Sequence, residues 1–111
     1  MTLISDENRA KGIIEMLARR FPQAFSVVEK DRKPLKLGIF SDLVAALDGS
    51  VEKEELSAAL RAYVRHPGYL RKCRPGVNRV DLSSNVAGMV SRREAKFARV
   101  ERDRVEDARR R

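Results

Sequence analysis

The residues with the most chemistry to offer lie together. From Arg61 to Val80, in RAYVRHPGYLRKCRPGVNRV, there are six Lys or Arg, two Tyr, the only His and the only Cys of the chain, and no Asp or Glu. Arginine and lysine neutralise phosphates and release the counterions that surround a nucleic acid. Tyrosine stacks on an unpaired base or hydrogen-bonds a phosphate. A helix start presents free backbone N–H groups to an anion, and His66-Pro67-Gly68-Tyr69 has the makings of one. His66 stands near the cap, Pro67 gives up no needed donor, and Gly68 leaves room for close approach. Together these residues describe a surface for a polyanion.

Catalysis is harder to assemble. His66 is the one candidate general base near neutral pH, and no Ser or Cys can be placed beside it with a third, orienting group. No glycine-rich phosphate loop occurs. Acids such as Asp42 and Glu54 suit cap or surface positions. With one His and one Cys, a Cys/His metal site and an intramolecular disulfide are both excluded. The expectation is a binding protein, not an enzyme, with no cofactor, no metal and no small-molecule substrate.

Plainer roles are open to each of these residues. A run of charge is often only a solvated face. Tyr63 falls on an apolar helical stripe and suits the core better than a contact. Tyr69 follows the Pro-Gly break and suits either role. His66 suits a cap or the surface, and Cys73 an ordinary thiol.

The elements that must hold these groups follow from periodicity and punctuation. Ala10, Ile13, Ile14, Leu17, Ala18 and Phe21 make the apolar stripe of a helix from about Asp6 to Arg20, with Ser5 or Asp6 as its cap and Pro22 at its end. KDRKPLKLGIF is extended or irregular, because Pro34 biases Lys33 away from helix. A short helix from about Phe40 to Leu47 turns its Leu43, Val44 and Leu47 inward and stops at Asp48-Gly49-Ser50. The next helix runs from about Lys53 to Arg65, with Leu56, Ala59, Leu60, Tyr63 and Val64 as its buried stripe. Lys53, Ser57, Arg61 and Arg65 are spaced by four and share its outer face.

Pro67 opens a new short helix through Leu70, and Arg74-Pro75-Gly76 is a turn. NRVDL and VAGMV flank Ser83-Ser84-Asn85 as a β-hairpin. Ser91-Arg92-Arg93-Glu94 is a capping box opening a last helix that reaches nearly to the end. Its apolar pattern fades beyond Val100, so its end is expected to be solvated, with much of its charge self-paired. The fold class is mainly α with small β-hairpin elements (α+β). Residues 1–90 form the binding domain, and residues 91–111 a basic helix that is part of it or appended to it.

Charge is distributed in blocks. The 111 residues carry a net charge of +8, yet residues 41–60 carry −4, residues 61–80 carry +6 and residues 91–111 carry +4. A basic domain of this size suits a nucleic acid or another anionic surface. The opening MTLISDENRA lacks the basic and apolar regions of a signal peptide, and no apolar run approaches the roughly 18–20 residues of a membrane span. A cytoplasmic monomer with no membrane partner is the expectation.

Three blocks in order, KPLKLGIFSDLVAAL, LSAALRAYVRHPGYL and RPGVNRVDL, resemble the FinO/ProQ family of bacterial RNA-binding proteins. The resemblance runs from about Ala18 to Val90, and weakly through the first helix. It implies a compact, mainly helical fold that binds RNA on a basic concave face. The RNAs it implies are structured small RNAs and mRNA 3′ ends, chiefly intrinsic terminator hairpins with a single-stranded 3′ tail. The family's binding positions match Lys36, Lys53, Arg61, Tyr69 and Arg79, and Asp81 lies in the equally recognisable RVDL. Two departures stand out. Ser57 occupies a position where a basic residue is expected, leaving Arg65 and Arg71 to compensate, and the hairpin turn is Ser-Ser-Asn instead of Asp-Gly-Asn. A minimal, single-domain member, without the long linker and extra C-terminal domain that some members carry, is the expectation.

The mechanism expected is a two-part grip. Lys33, Lys36, Lys53, Arg61 and Arg65 would hold a duplex backbone, since A-form RNA hides its base edges in a deep, narrow groove. The Pro67 helix start, with His66, Gly68, Tyr69 and Arg79, would take the 3′-terminal nucleotides. Arg71 would assist, and Asp81 would serve the terminal ribose or simply the hairpin. Two other classes stay open: a DNA-binding helix–turn–helix-like regulator around Lys53–Leu70, and a module whose C-terminal helix docks on an acidic protein.

Overall fold

The computed structural model describes residues 6–110. In chain order these form α1 (Asp6–Arg20), a 3₁₀ turn (Glu29–Asp31), α2 (Ile39–Leu47), α3 (Lys53–Arg65), α4 (Pro67–Leu70), β1 (Asn78–Val80), β2 (Val86–Met89) and α5 (Arg92–Arg110). The mainly helical fold with one small antiparallel hairpin is the one expected. Ser5, one of the two proposed caps of α1, lies outside the described residues.

The core is built where α1 packs on α3. α1 buries Ile13 and Leu17, and α3 buries Leu56, Ala59 and Tyr63. α2 adds Ile39, Leu43 and Leu47. Gly38 precedes α2 with φ 86°, a left-handed conformation that glycine adopts without a Cβ penalty. An aromatic ladder crosses the core: Phe25 meets Tyr63 edge-on at 5.1 Å, and Tyr63 meets Tyr69 edge-on at 5.9 Å. The guanidinium of Arg32 lies 4.1 Å from the Tyr63 ring centre and donates to Tyr63 O at 3.2 Å. That buried arginine staples the irregular segment to α3.

The hairpin pairs Asn78 with Met89 and Val80 with Val86, which leaves one extra residue on β2. Gly88, at φ 109°, lies in this bulge. The segment before α2 is not merely irregular. Lys36 N–H donates to Val80 O at 2.8 Å and Val80 N–H donates to Pro34 O at 3.0 Å, a parallel bridge that gives β1 a second neighbour. Alternation gave no sign of it, because one rung has no period.

α5 reaches Arg110, as expected, and residues 107–110 are exposed; the difference lies just before them, where Glu101, Arg102, Val105 and Glu106 are partly buried. Its acids do not only pair within the helix. Glu101 reaches Arg65 of α3 at 3.6 Å, and Glu106 reaches Arg71 at 2.9 Å. The capping box forms as expected, with Ser91 N–H donating to Glu94 Oε1 at 2.8 Å and Glu94 N–H donating to Ser91 Oγ at 3.1 Å.

A candidate nucleic-acid interface

A cleft of about 720 Å³ opens between the segment before α2, the outer side of α3, and α5. Lys36, Arg61, Tyr69 and Arg79 all line it, although they come from four different parts of the chain. Its floor is apolar, from Leu35, Ile39, Leu60, Val64 and Leu70. Its rim carries Arg61 and Arg93, the Leu37 side chain (65% exposed) and the Phe97 ring (68% exposed). Such a surface has cations for phosphates and exposed apolar and aromatic faces for bases. Ser57, on the α3 side, adds a hydroxyl and no charge.

Each expected residue has a definite place. Arg61 is exposed one turn beyond Ser57, and Lys53 is exposed at the start of the same helix, about 12 Å away along the axis. Lys36 donates to Asp42 at 2.8 Å. That hydrogen bond holds its ammonium above the ordinary lysine range, and the Asp42 charge adds to the effect against slight desolvation, with Asp81 contributing least. Lys33 reaches back to Gln23 O at 3.2 Å and Ser84 Oγ at 3.4 Å, beside the hairpin turn. Arg65 and Arg71 are half-exposed and paired with α5 carboxylates. The arginine ends of these pairs are open to solvent while Glu101 and Glu106 are partly buried, so an anion can approach each guanidinium from the solvent side.

Arg79 is buried. It donates to Leu35 O at 2.9 Å, meets Glu94 Oε1 at 3.2 Å, and keeps its Nε without an acceptor among the described residues. Tyr69 is also buried, 6% exposed, and its hydroxyl accepts Leu35 N–H at 2.9 Å. Burial pushes that phenol up to about 12. Its ring therefore walls the cleft instead of offering both faces to a base. Burial likewise raises the Cys73 thiol, which lies on the cleft floor.

The Pro67 helix start is closed, not open. His66 Nδ1 accepts Gly68 N–H at 3.0 Å, and His66 Nε2 donates to Glu29 at 2.9 Å. Gly68 is buried, and a Cβ there would lie 2.9 Å from Glu29 Cβ and 3.1 Å from Glu29 O. The glycine thus admits the 3₁₀ turn and not a ligand. The His66 ring is held below its ordinary value, by burial first and by Arg32, Arg109 and Arg71 after, which together outweigh the Glu29 charge. It is neutral, since Nδ1 is committed as an acceptor. Asp81 serves the hairpin: its Oδ1 accepts both Ser83 N–H and Asn85 N–H at 2.9 Å.

Sequence reasoning missed Arg93, Phe97, Leu37 and Phe40 as cleft-lining residues. The i, i+4 spacing of Arg93 and Phe97 on α5 was available as a signal. Nothing in the sequence said which groove they faced.

Residues 8–111 match the family model described as the ProQ/FINO family. The chain is 42% identical over 100 residues to the RNA chaperone ProQ of Pasteurella multocida, covering 88% of this chain and 47% of that protein. It is 46% identical over 91 residues to the RNA chaperone ProQ of Haemophilus influenzae, covering 80% and 46%. The chain thus spans about half the length of these curated relatives. Its fold is similar to that of a ProQ homolog from Legionella pneumophila, with TM-score 0.78, 30% identity and 94% and 88% of the two chains covered. It is also similar to a FinO-like RNA chaperone from Neisseria meningitidis, with TM-score 0.68, 30% identity and 86% and 76% covered. In sequence and in fold, the chain belongs to the ProQ/FINO family.

Proposed function

We propose that this chain is an RNA-binding protein and RNA chaperone that acts as a monomer in the cytoplasm, in post-transcriptional regulation. Its targets are structured small RNAs and mRNA 3′ ends, chiefly intrinsic terminator hairpins with a single-stranded 3′ tail. The observation that carries this reading is the meeting of Lys36, Arg61, Tyr69 and Arg79 in one cleft with an apolar floor and a cationic rim. The duplex backbone lies along Lys53, Arg61 and Arg65, where contacts are to phosphates and not to base edges. Unpaired tail nucleotides enter the cleft, with Leu37 and Phe97 at its mouth. Names carried by relatives, RNA chaperone ProQ and FinO-like RNA chaperone, support the same reading.

The α3–α4 pair gives no support to a helix–turn–helix reader of DNA. α4 has four residues and all are buried, so it has no face to lay in a major groove. The test is a competition between terminator hairpins ending in a free 3′ hydroxyl and the same hairpins with a 3′ phosphate. The free end should bind at least about tenfold tighter if the tail's terminus is enclosed. Equal affinity would sink the end-recognition part, and preference for duplex DNA would sink the whole.

A further inference from the structure

α5 has a second concavity on its other side. This groove, about 390 Å³, is walled by the first half of α5 and by the connector that follows α4. From α5 it takes Arg92, Ala95, Lys96, Arg99 and Arg102, and none of these lines the cleft, whose α5 residues are Arg93, Glu94, Phe97 and Ala98. Arg92, Lys96 and Arg99 stand at i, i+4 and i+7, so they form one stripe. Arg71 and Arg74 come from the connector. Leu70 and Cys73 line both concavities, which are thus separated by a thin wall.

Six cations line this groove and no carboxylate does. Glu106 engages Arg71 at 2.9 Å and Arg102 at 3.5 Å from beyond its edge. Arg74, Arg92, Lys96 and Arg99 have no ion-pair partner among the described residues. Like charges one turn apart repel, so the stripe carries a standing cost that a bound polyanion would remove. The chemistry of the lining narrows the ligand. Five of the six cations are arginines, whose planar forks match phosphate oxygens. No aromatic ring lines the groove to stack a base, and no carboxylate lines it to accept from a base edge or ribose.

The geometry points to a second RNA site: this groove grips the phosphodiester backbone of an RNA duplex without reading its bases, beside the cleft and across α5 from it. A protein with both sites holds two RNA segments close together, which is what bringing two RNAs into register requires. That last step rests on the proposal that the cleft takes RNA; backbone binding in the groove does not.

The test uses the full chain, a tailed hairpin and a short blunt-ended RNA duplex. The duplex should join a preformed hairpin complex as a second, weaker event. Arg92→Ala/Lys96→Ala/Arg99→Ala should weaken that event at least about tenfold and lower its salt slope by about two to three units. Hairpin affinity should change by less than about twofold, because these side chains do not reach the cleft. All three are exposed, so thermal melting should stay near wild type, and Lys96→Ala alone should remove about one unit of slope. An unchanged second event in the triple variant, or no duplex binding by the wild type, overturns the proposal. Polyglutamate displacing the duplex at equal charge would assign the groove to an acidic protein instead. A wild type that binds the duplex but not the hairpin would refute the reading of the cleft and leave the groove standing.

Discussion

Arg79 and Glu94 meet at 3.2 Å through the same carboxylate oxygen, Oε1, that closes the capping box of α5 on Ser91 N–H. One atom therefore fixes the start of α5 and neutralises the buried arginine of the cleft. The Ser91 bond is the larger cause of the depressed Glu94 value, with Arg79 second. If the cleft takes RNA as proposed, strength of grip and position of the helix are coupled at this carboxylate.

Glu94→Gln separates the two roles, because the amide oxygen still caps while the charge is gone. Hairpin RNA should bind about threefold tighter at low salt, with the gain erased at high salt. Glu94→Ala should lower the melting temperature as well, through loss of the cap. RNA affinity that is identical in wild type and Glu94→Gln at every salt concentration would mean that Arg79 lies outside the field felt by the ligand.

Arg61 is exposed and has no ion-pair partner among the described residues. Arg61→Ala should reduce the slope of log affinity against log salt by about one unit across unrelated hairpins. Urea denaturation should be unaffected. A slope that stays at its wild-type value would remove Arg61 from the phosphate-binding set.

Tyr69→Phe keeps the ring in the cleft wall but strands the buried Leu35 N–H. The expected cost is about 1–3 kcal/mol in urea unfolding. Hairpin affinity of the folded variant should match wild type. A folded variant that had lost affinity tenfold would show that the hydroxyl, not the wall, serves RNA.

His66 gives a pH dependence with a definite sign. The folded ring is held neutral below its ordinary value of 6.5. As pH falls through 6.5 the unfolded chain takes up a proton that the folded chain refuses, so stability declines. The decline ends once the folded ring is protonated as well. His66→Asn keeps a cap acceptor for Gly68 N–H and carries no titrating group, so its stability should be flat over this window. Equal slopes in the two proteins would place the linkage elsewhere.

Ser84 holds φ 65° in the hairpin turn, a conformation that favours glycine. Ser84→Gly should raise stability by about 0.5–1 kcal/mol, measured by chemical denaturation. Destabilisation instead would mean that the 3.4 Å contact from Lys33 to Ser84 Oγ outweighs the backbone strain.

Some of this architecture was plain in the sequence. α3 was legible from Lys53 to Arg65 because an apolar stripe, first-turn acids and a Pro break all agree. The capping box and the hairpin were legible for the same reason: each is written in neighbouring residues. The cleft was legible only in part. Family resemblance supplied Lys36, Arg61, Tyr69 and Arg79 as a set, and spacing could not, since they lie on separate elements. Burial was the main thing hidden. Arg79 reads as one more surface cation until its guanidinium is seen against Leu35 O and Glu94. Gly68 reads as room for a ligand until Glu29, nearly forty residues earlier, is seen to fill that room. Long-range partners of this kind leave no local pattern.

The parallel bridge between Leu35 and Val80 has a consequence for how such a protein tolerates sequence drift. Lys36 and Arg79 each stand one residue from the bridge, so main-chain hydrogen bonds set the separation of these two cleft cations. A ruler made of peptide groups does not depend on which side chains fill the core beneath it. Core substitutions that keep the bridge should therefore leave the two charges at the same spacing, and a proline at position 80, which would remove the Val80 N–H donated to Pro34 O, should disturb it from a single site while both cations remain.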